Sequence, residues 1–173
     1  MKNEQASSIA GDRAALEGLY RRHVGRGVAL ARVLMGDDHL AHDVAHDAFL
    51  RATARFAHLR NPNAFDGYYR RAVLNECRMR FRRQRVEMEW LRRNRPVTDT
   101  AKQPYDPVER DAVWSVIARL PFRQRAVLVL RYYEDLSLDQ AAVVLRCSTR
   151  AARSLHTRAI ETLRSEMEGP TDD

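Results

Sequence analysis

Four arginines, Arg150, Arg153, Arg158 and Arg164, follow one another at helical intervals near the C-terminus. A guanidinium fork binds phosphate or a guanine edge through two parallel hydrogen bonds, which an ammonium cannot do. At about 100° per residue, Arg150, Arg153, Ser154 and Thr157 share one helix face. Ala152, Leu155, Ala159 and Leu163 share the opposite one. Ser148 stands where a cap is needed, and with the helix N-terminus it can hold a phosphate. Just upstream, Ser137 and Gln140 have capping-box spacing. The short segment they open carries Ala141, Ala142, Val144 and Leu145, small enough for close helix packing. "RCS" then makes a tight turn. The predicted layout is a helix-turn-helix, in which the first half of the second helix enters the major groove. Candidate duplex contacts are Ser148, Arg150, Arg153, Ser154, Thr157 and Arg158. A solvated charged hairpin is the competing reading, and charge alone would not outvote it. The caps, the small residues, the turn and the placement of the arginines together favour DNA.

A second basic cluster lies upstream. Between Tyr68 and Arg85 there are seven arginines against Glu76 alone. Phe65, Tyr68, Tyr69 and Phe81 lie among them, and aromatic rings beside basic groups can stack unpaired bases. For Tyr69 a core position is the better reading. Asn75 and Arg78, one turn apart, can reach a flipped base or the backbone. A third constellation has the opposite character. His42, Asp43, His46, Asp47 and Leu50 share a helix face. The i, i+4 histidines can bind a metal. No glutamate base, separated third ligand or cysteine joins them, so the face reads as a protein-binding surface and no metal is expected. No nucleophile with its base and no glycine-rich phosphate loop occurs, so neither an enzyme nor a cofactor is expected.

These residues need helices to position them. A helical pattern runs from about Asp12 to Gly36, with Leu16, Leu19, Tyr20, Val24, Val28 and Leu34 as candidate core. "GDD" breaks it, and Asp37 or Asp38 caps a second helix running to about Leu59. Its buried stripe is Leu40, Val44, Ala48, Ala52 and Phe56, with Ala41, Ala45 and Phe49 alongside. Asn61 and Pro62 suit the start of a third helix. Three prolines in "RPVTDTAKQPYDP" mark a linker. Helices resume near Val108, with a short one ended by Pro121 and another through "RQRAVLVLRYY". The expected fold is all-α: two small helical domains, residues 12–83 and 108–166, joined by a flexible linker over residues 84–107. The second domain is the helix-turn-helix.

Composition agrees. The chain has 173 residues, 45% of them hydrophobic, enough for one ordinary domain or two small ones. Net charge is +7, and only Lys2 and Lys102 are lysine among thirty basic residues. The balance suggests a polyanionic partner, although codon bias accounts for most of the arginine skew. Cys77 and Cys147 lie far apart and form no C-x-x-C pair, so two reduced thiols used for packing are expected. "MKNEQASSIAGDR" has no apolar core, and no apolar run reaches membrane-span length. A cytoplasmic protein without membrane insertion is expected.

"LPFRQRAVLVLRYYEDLSLDQAAVVLRCSTRAARSLHTRAIETLR" resembles the promoter-binding C-terminal region of the extracytoplasmic-function (group 4) sigma factors of the sigma-70 family, in their actinobacterial SigE-like subgroup. "AHDVAHDAFLRA" is similar to the family segment that docks on the polymerase clamp helices. "AFDGYYRRAVLNECRMRFRR" is similar to the segment that opens and reads the −10 element. The resemblance implies an all-helical sigma factor that binds RNA polymerase core enzyme, through the β′ clamp helices and the β flap, and starts transcription at promoter DNA. It implies core contacts at Asp43, His46, Asp47 and Leu50. It implies −10 contacts at Phe65, Tyr68, Arg71, Asn75, Arg78 and Arg82, with the helix-turn-helix on the −35 element. It also implies an anti-sigma protein as a partner. His46 and Asp47 replace the family's glutamine and glutamate, and Arg150 and Arg153 its glycine and lysine. These departures bear on promoter sequence and on the strength of the core contact. Two other functions fit parts of the pattern. A dimeric helix-turn-helix regulator would use the first half for ligand binding or dimerisation. An RNA-binding adaptor would use the arginine faces alone.

Overall fold

The computed structural model describes residues 2–56, 64–94 and 112–168. Within them every regular element is helical: α1 (Lys2–Met35), α2 (Asp38–Phe56), α3 (Phe65–Asn94), α4 (Ala112–Arg119), α5 (Phe122–Leu128), α6 (Leu138–Leu145) and α7 (Thr149–Glu168). A π-helical turn, Val129–Tyr133, extends α5.

Helices α1, α2 and α3 pack on one another as a bundle. Gly36 ends α1 at φ 80, a backbone region that glycine enters without a Cβ penalty. Asp37 then accepts the Leu40 N–H at 3.0 Å and caps α2. The α2 stripe is as expected where it is described, with Ala41, Val44, Ala45, Ala48, Phe49 and Ala52 buried and Leu40 half-buried. From α3 come Phe65, Tyr69, Val73 and Cys77, four residues at successive i+4 intervals, all buried. Each large apolar side chain buried this way contributes about 1.5–3 kcal/mol relative to exposure. Burial pushes the Cys77 thiol up to about 12, with the charge of Glu76 adding to it.

Several expectations change. α1 begins at Lys2, and Leu16 and Tyr20 are exposed while Val28 and Leu34 are buried. Tyr20 lies edge-on against Phe49, with centroids 5.0 Å apart, so it covers the rim of the core. The proposed Asn61 cap and Pro62 lie outside the described residues, as does the end of α2 toward Leu59. α3 continues past Arg83 to Asn94, so the first part of the expected linker is helix. No Pro or Gly lies between Arg83 and Asn94, and the i, i+4 pair Glu89–Arg93 at 3.0 Å supports the extension. Residues 95–111 lie outside the description.

The C-terminal half is α4 to α7, with α4, α5 and α6 all packed on α7. The two halves also share apolar surface. Ala126, Val127, Val129, Leu130 and Ala141 join the same buried cluster as Leu30, Phe65 and Val73. A smaller cluster of Leu120, Leu128 and Ala159 serves the C-terminal half alone. No helix among the described residues is long and apolar enough to cross a membrane.

Candidate nucleic-acid and protein interfaces

The helix-turn-helix is built from its caps. Ser137 Oγ accepts the Gln140 N–H at 3.2 Å, and the Gln140 side chain accepts the Ser137 N–H at 2.8 Å. Both halves of the capping box are therefore made. At the other end of α6, Arg146 is left-handed at φ 50. The Cys147 N–H reaches Ala142 O at 3.0 Å and the Arg146 N–H reaches Val143 O at 3.3 Å. This pair of bonds closes the helix and turns the chain within a few residues. Ser148 Oγ then accepts the Ala151 N–H at 3.1 Å and starts α7.

α7 buries Ala152 and Ala159 and half-buries Leu155, Ile160 and Leu163 against the preceding helices. Arg150, Arg153, Ser154, Thr157 and Arg158 are all exposed, so the structure leaves the candidate reading face open. Ser148 is exposed as well, with its hydroxyl proton still free to donate after Oγ has accepted the cap bond. His156 lies between the two faces and meets the Tyr132 hydroxyl at 2.9 Å. Burial and then the charge of Arg131 lower its pKa, which favours the neutral imidazole.

On α3, Tyr68, Arg71, Asn75, Arg78 and Arg82 follow one another three or four residues apart and form a stripe. Asn75, Arg78 and Arg82 are exposed, whereas Tyr68 and Arg71 are half-buried. Phe65 does not belong with them. It is fully buried, stacked on Tyr69 at 5.9 Å between centroids and set edge-on to Phe49 at 5.8 Å. A ring held on two sides in the core cannot stack a base, and the i+4 run from Phe65 to Cys77 was the signal for this. Tyr69 is core, as expected. Its hydroxyl donates to Ala45 O at 3.0 Å, and burial, with Tyr20 adding, holds the phenol well above the usual tyrosine range. Phe81 packs on Phe122, with the Arg125 guanidinium over its ring at 4.7 Å.

The α2 face has Asp43, His46 and Leu50 exposed. Asp47 is less free, because Arg80 of α3 donates to its Oδ2 at 3.1 Å. Arg80 also approaches Glu76 at 3.7 Å, and Glu76, nearly buried, pairs with Arg51 at 2.6 Å. Sequence reading missed this four-residue network, since its members lie on two helices. Among the described residues no group of three or more His, Cys, Asp or Glu side chains is placed to hold a metal ion.

Among the described residues, two ion pairs and two caps tie the halves together. Glu134, buried in the C-terminal half, accepts from Arg70 at 2.7 Å and faces Arg26 at 3.3 Å. Arg70 is braced by Asp66 at 2.9 Å. Arg125 donates to Leu34 O at 2.7 Å in the last turn of α1, and also bonds Ala118 O and Leu120 O. Reciprocally, Arg71 donates to Val143 O at 3.2 Å near the C-terminus of α6. A cation is favoured at the negative end of a helix, so each half caps a helix of the other.

Comparison with known proteins agrees with this geometry. Residues 19–87 match the family described as Sigma-70 region 2, and residues 116–165 match Sigma-70, region 4. The ECF RNA polymerase sigma factor SigM of Mycobacterium tuberculosis is 31% identical over 155 residues, 89% of this chain and 78% of that protein. The RNA polymerase sigma-E factor of Streptomyces coelicolor is 30% identical over 140 residues, 79% of this chain and 77% of that protein. Among solved structures, the sigma factor RpoE in complex with the anti-sigma factor NepR from Bartonella quintana superposes with a TM-score of 0.67 at 16% identity, covering 91% of this chain and 98% of that one. CnrH in complex with the cytosolic domain of CnrY gives 0.62 at 24% identity, covering 96% of each chain. The first half matches a sigma region rather than a ligand-binding or dimerisation domain, which sets aside the dimeric regulator. The chain belongs to the extracytoplasmic-function sigma factors of the sigma-70 family, proteins that bind RNA polymerase core enzyme and direct promoter recognition and transcription initiation.

Proposed function

We propose the following division of labour within that function. The α2 face of Asp43, His46, Asp47 and Leu50 docks on the core enzyme. The α3 stripe of Tyr68, Arg71, Asn75, Arg78 and Arg82 takes the −10 element. The α7 face of Ser148, Arg150, Arg153, Ser154, Thr157 and Arg158 reads the −35 element as duplex. The two halves act as separate units on the promoter, with the chain between them spanning the spacer. Activity is cytoplasmic, and an anti-sigma protein covers these surfaces when transcription is off. The observation that carries this reading is the open arginine face of α7, opposite a back of buried alanines and half-buried leucines and fixed by two caps and a left-handed turn. That arrangement fixes the backbone from which the guanidinium forks reach toward a groove. Reconstitution with core enzyme on promoters selected from the cell is the test. Transcription above core alone, dependent on both promoter elements, is the expected result. Its absence at every promoter would refute the assignment.

A further inference from the structure

The two halves meet around an open cavity of about 340 Å3, and the described residues of its wall carry four guanidinium groups. Arg51 and Arg55 come from the end of α2, Arg71 from α3, and Arg146 from the turn between α6 and α7. Tyr68 and Asn75 complete its polar lining, and among the described residues no carboxylate is part of the wall. The nearby Glu76 pairs with Arg51 at 2.6 Å and is approached by Arg80 at 3.7 Å, so Arg51 adds less net charge to the cavity than Arg55, Arg71 and Arg146. Arg71 spends one terminal nitrogen on Val143 O, while its Nε is buried without a hydrogen-bond partner. Like charges gathered around a partly enclosed space repel one another, and the cost falls when an anion enters. Guanidinium forks match phosphate oxygens in geometry as well as charge. The volume lies within the range of roughly 300–1,000 Å3 usual for small-ligand sites, and it is far too small for a duplex.

We propose that this junction binds a phosphorylated small molecule carrying at least two linked phosphates, and that the bound anion holds the two halves together. Arg146 belongs to one half and the other three arginines to the other, so the complete site exists only in the closed arrangement. A ligand that binds only the closed arrangement shifts the population toward it. Tyr68, Arg71 and Asn75 are also −10 residues in the assignment above, and on that assignment the liganded chain withholds them from promoter DNA. The site is thus a control point at which a soluble polyphosphate competes with the promoter for Tyr68, Arg71 and Asn75.

Titration calorimetry of the full chain tests this, with inorganic pyrophosphate and ADP as separate probes in buffer of about 0.15 M salt. Saturable binding of one anion per chain is expected. Arg55→Ala and Arg146→Gly should each weaken it about tenfold, the loss of one charge-assisted contact. Glycine at position 146 keeps the left-handed backbone, and Arg55 lies in the other half, so one variant stands if the other misfolds. Arg22→Ala, an exposed arginine of α1 outside the cavity wall, should leave the affinity unchanged. Equal affinity for the two probes supports a site for the phosphates alone, and tighter ADP binding supports a nucleoside resting on Tyr68 and Asn75. X-ray scattering in pyrophosphate should show a chain at least as compact as without it. Absence of saturable binding, full affinity in both Arg55→Ala and Arg146→Gly, or expansion on adding pyrophosphate would each overturn the proposal. Transcription reconstituted without the anion tests the promoter assignment by itself, so the two ideas fail separately.

Discussion

Arg70 Nε donates to Glu134 Oε2 at 2.7 Å, joining residues on opposite halves of the chain with side chains only 12% and 3% exposed. Breaking a buried pair by removing one partner leaves the other charge uncompensated. Asp66 still braces Arg70, so the loss is smaller than for an isolated pair. Glu134→Ala should cost about 1–3 kcal/mol and let the halves separate more readily. Thermal unfolding reads the first effect and small-angle scattering the second. An unchanged melting temperature with unchanged dimensions would mean that the shared apolar cluster and the Arg125 and Arg71 cap bonds hold the halves without Glu134.

Gly27 sits where α1 crosses the Tyr69 ring, and a Cβ there would overlap the phenol. Glycine to alanine inside a helix ordinarily stabilises by about 1 kcal/mol. At this position the sign should reverse. Overpacking costs about 1–3 kcal/mol, and displacing Tyr69 also breaks its buried bond to Ala45 O. Gly25→Ala, with open space around its Cβ, is the matched control and should be neutral or stabilising. Denaturant midpoints of the two variants compare them directly.

On the recognition helix, Arg153→Ala, and to a lesser extent Arg150→Ala, should relax preference at particular −35 positions. The expected loss is about 1–3 kcal/mol of discrimination for a bidentate arginine–guanine pair. Arg158→Ala and Arg164→Ala should weaken binding to all sequences alike and lower its salt dependence. A panel of single-base −35 variants at two salt concentrations separates the cases. Uniform loss in Arg153→Ala would make it a phosphate contact.

For the core enzyme, Asp43→Ala and Asp47→Ala should both lower affinity while leaving duplex binding by α7 unchanged. Asp47 is partly neutralised by Arg80, so Asp43, exposed and facing no partner in any ion pair described above, should show the larger effect. A rim charge costs on the order of 1 kcal/mol or less, and a buried interfacial one several times more. Affinity for purified core enzyme is the readout, and two unaffected variants would move the docking surface elsewhere.

The helix-turn-helix was legible because every signal for it is local. Ser137 acts on Gln140 and Ser148 on Ala151, each three residues away, with the small-residue run between them, so spacing alone places the caps, the turn and the open arginine face. The α2 stripe was legible for the same reason, a 3.6-residue period that needs no knowledge of the partner helix. Phe65 was misread because an aromatic beside arginines has the same composition in a core as on a DNA-binding face. Only the packing of α1 and α2 over the start of α3 turns it inward. The extent of α3 past Arg83 was missed because loss of apolar periodicity looks like a linker, whereas an exposed helix needs only the absence of breakers and a few i, i+4 pairs. What no local pattern encodes is the join between the halves. Glu134 with Arg70, Arg125 with Leu34 O, and Arg71 with Val143 O connect residues separated by 64, 91 and 72 positions. A single arginine pairs equally well with any carboxylate or helix end that the chain brings near, so the choice among them belongs to the tertiary structure.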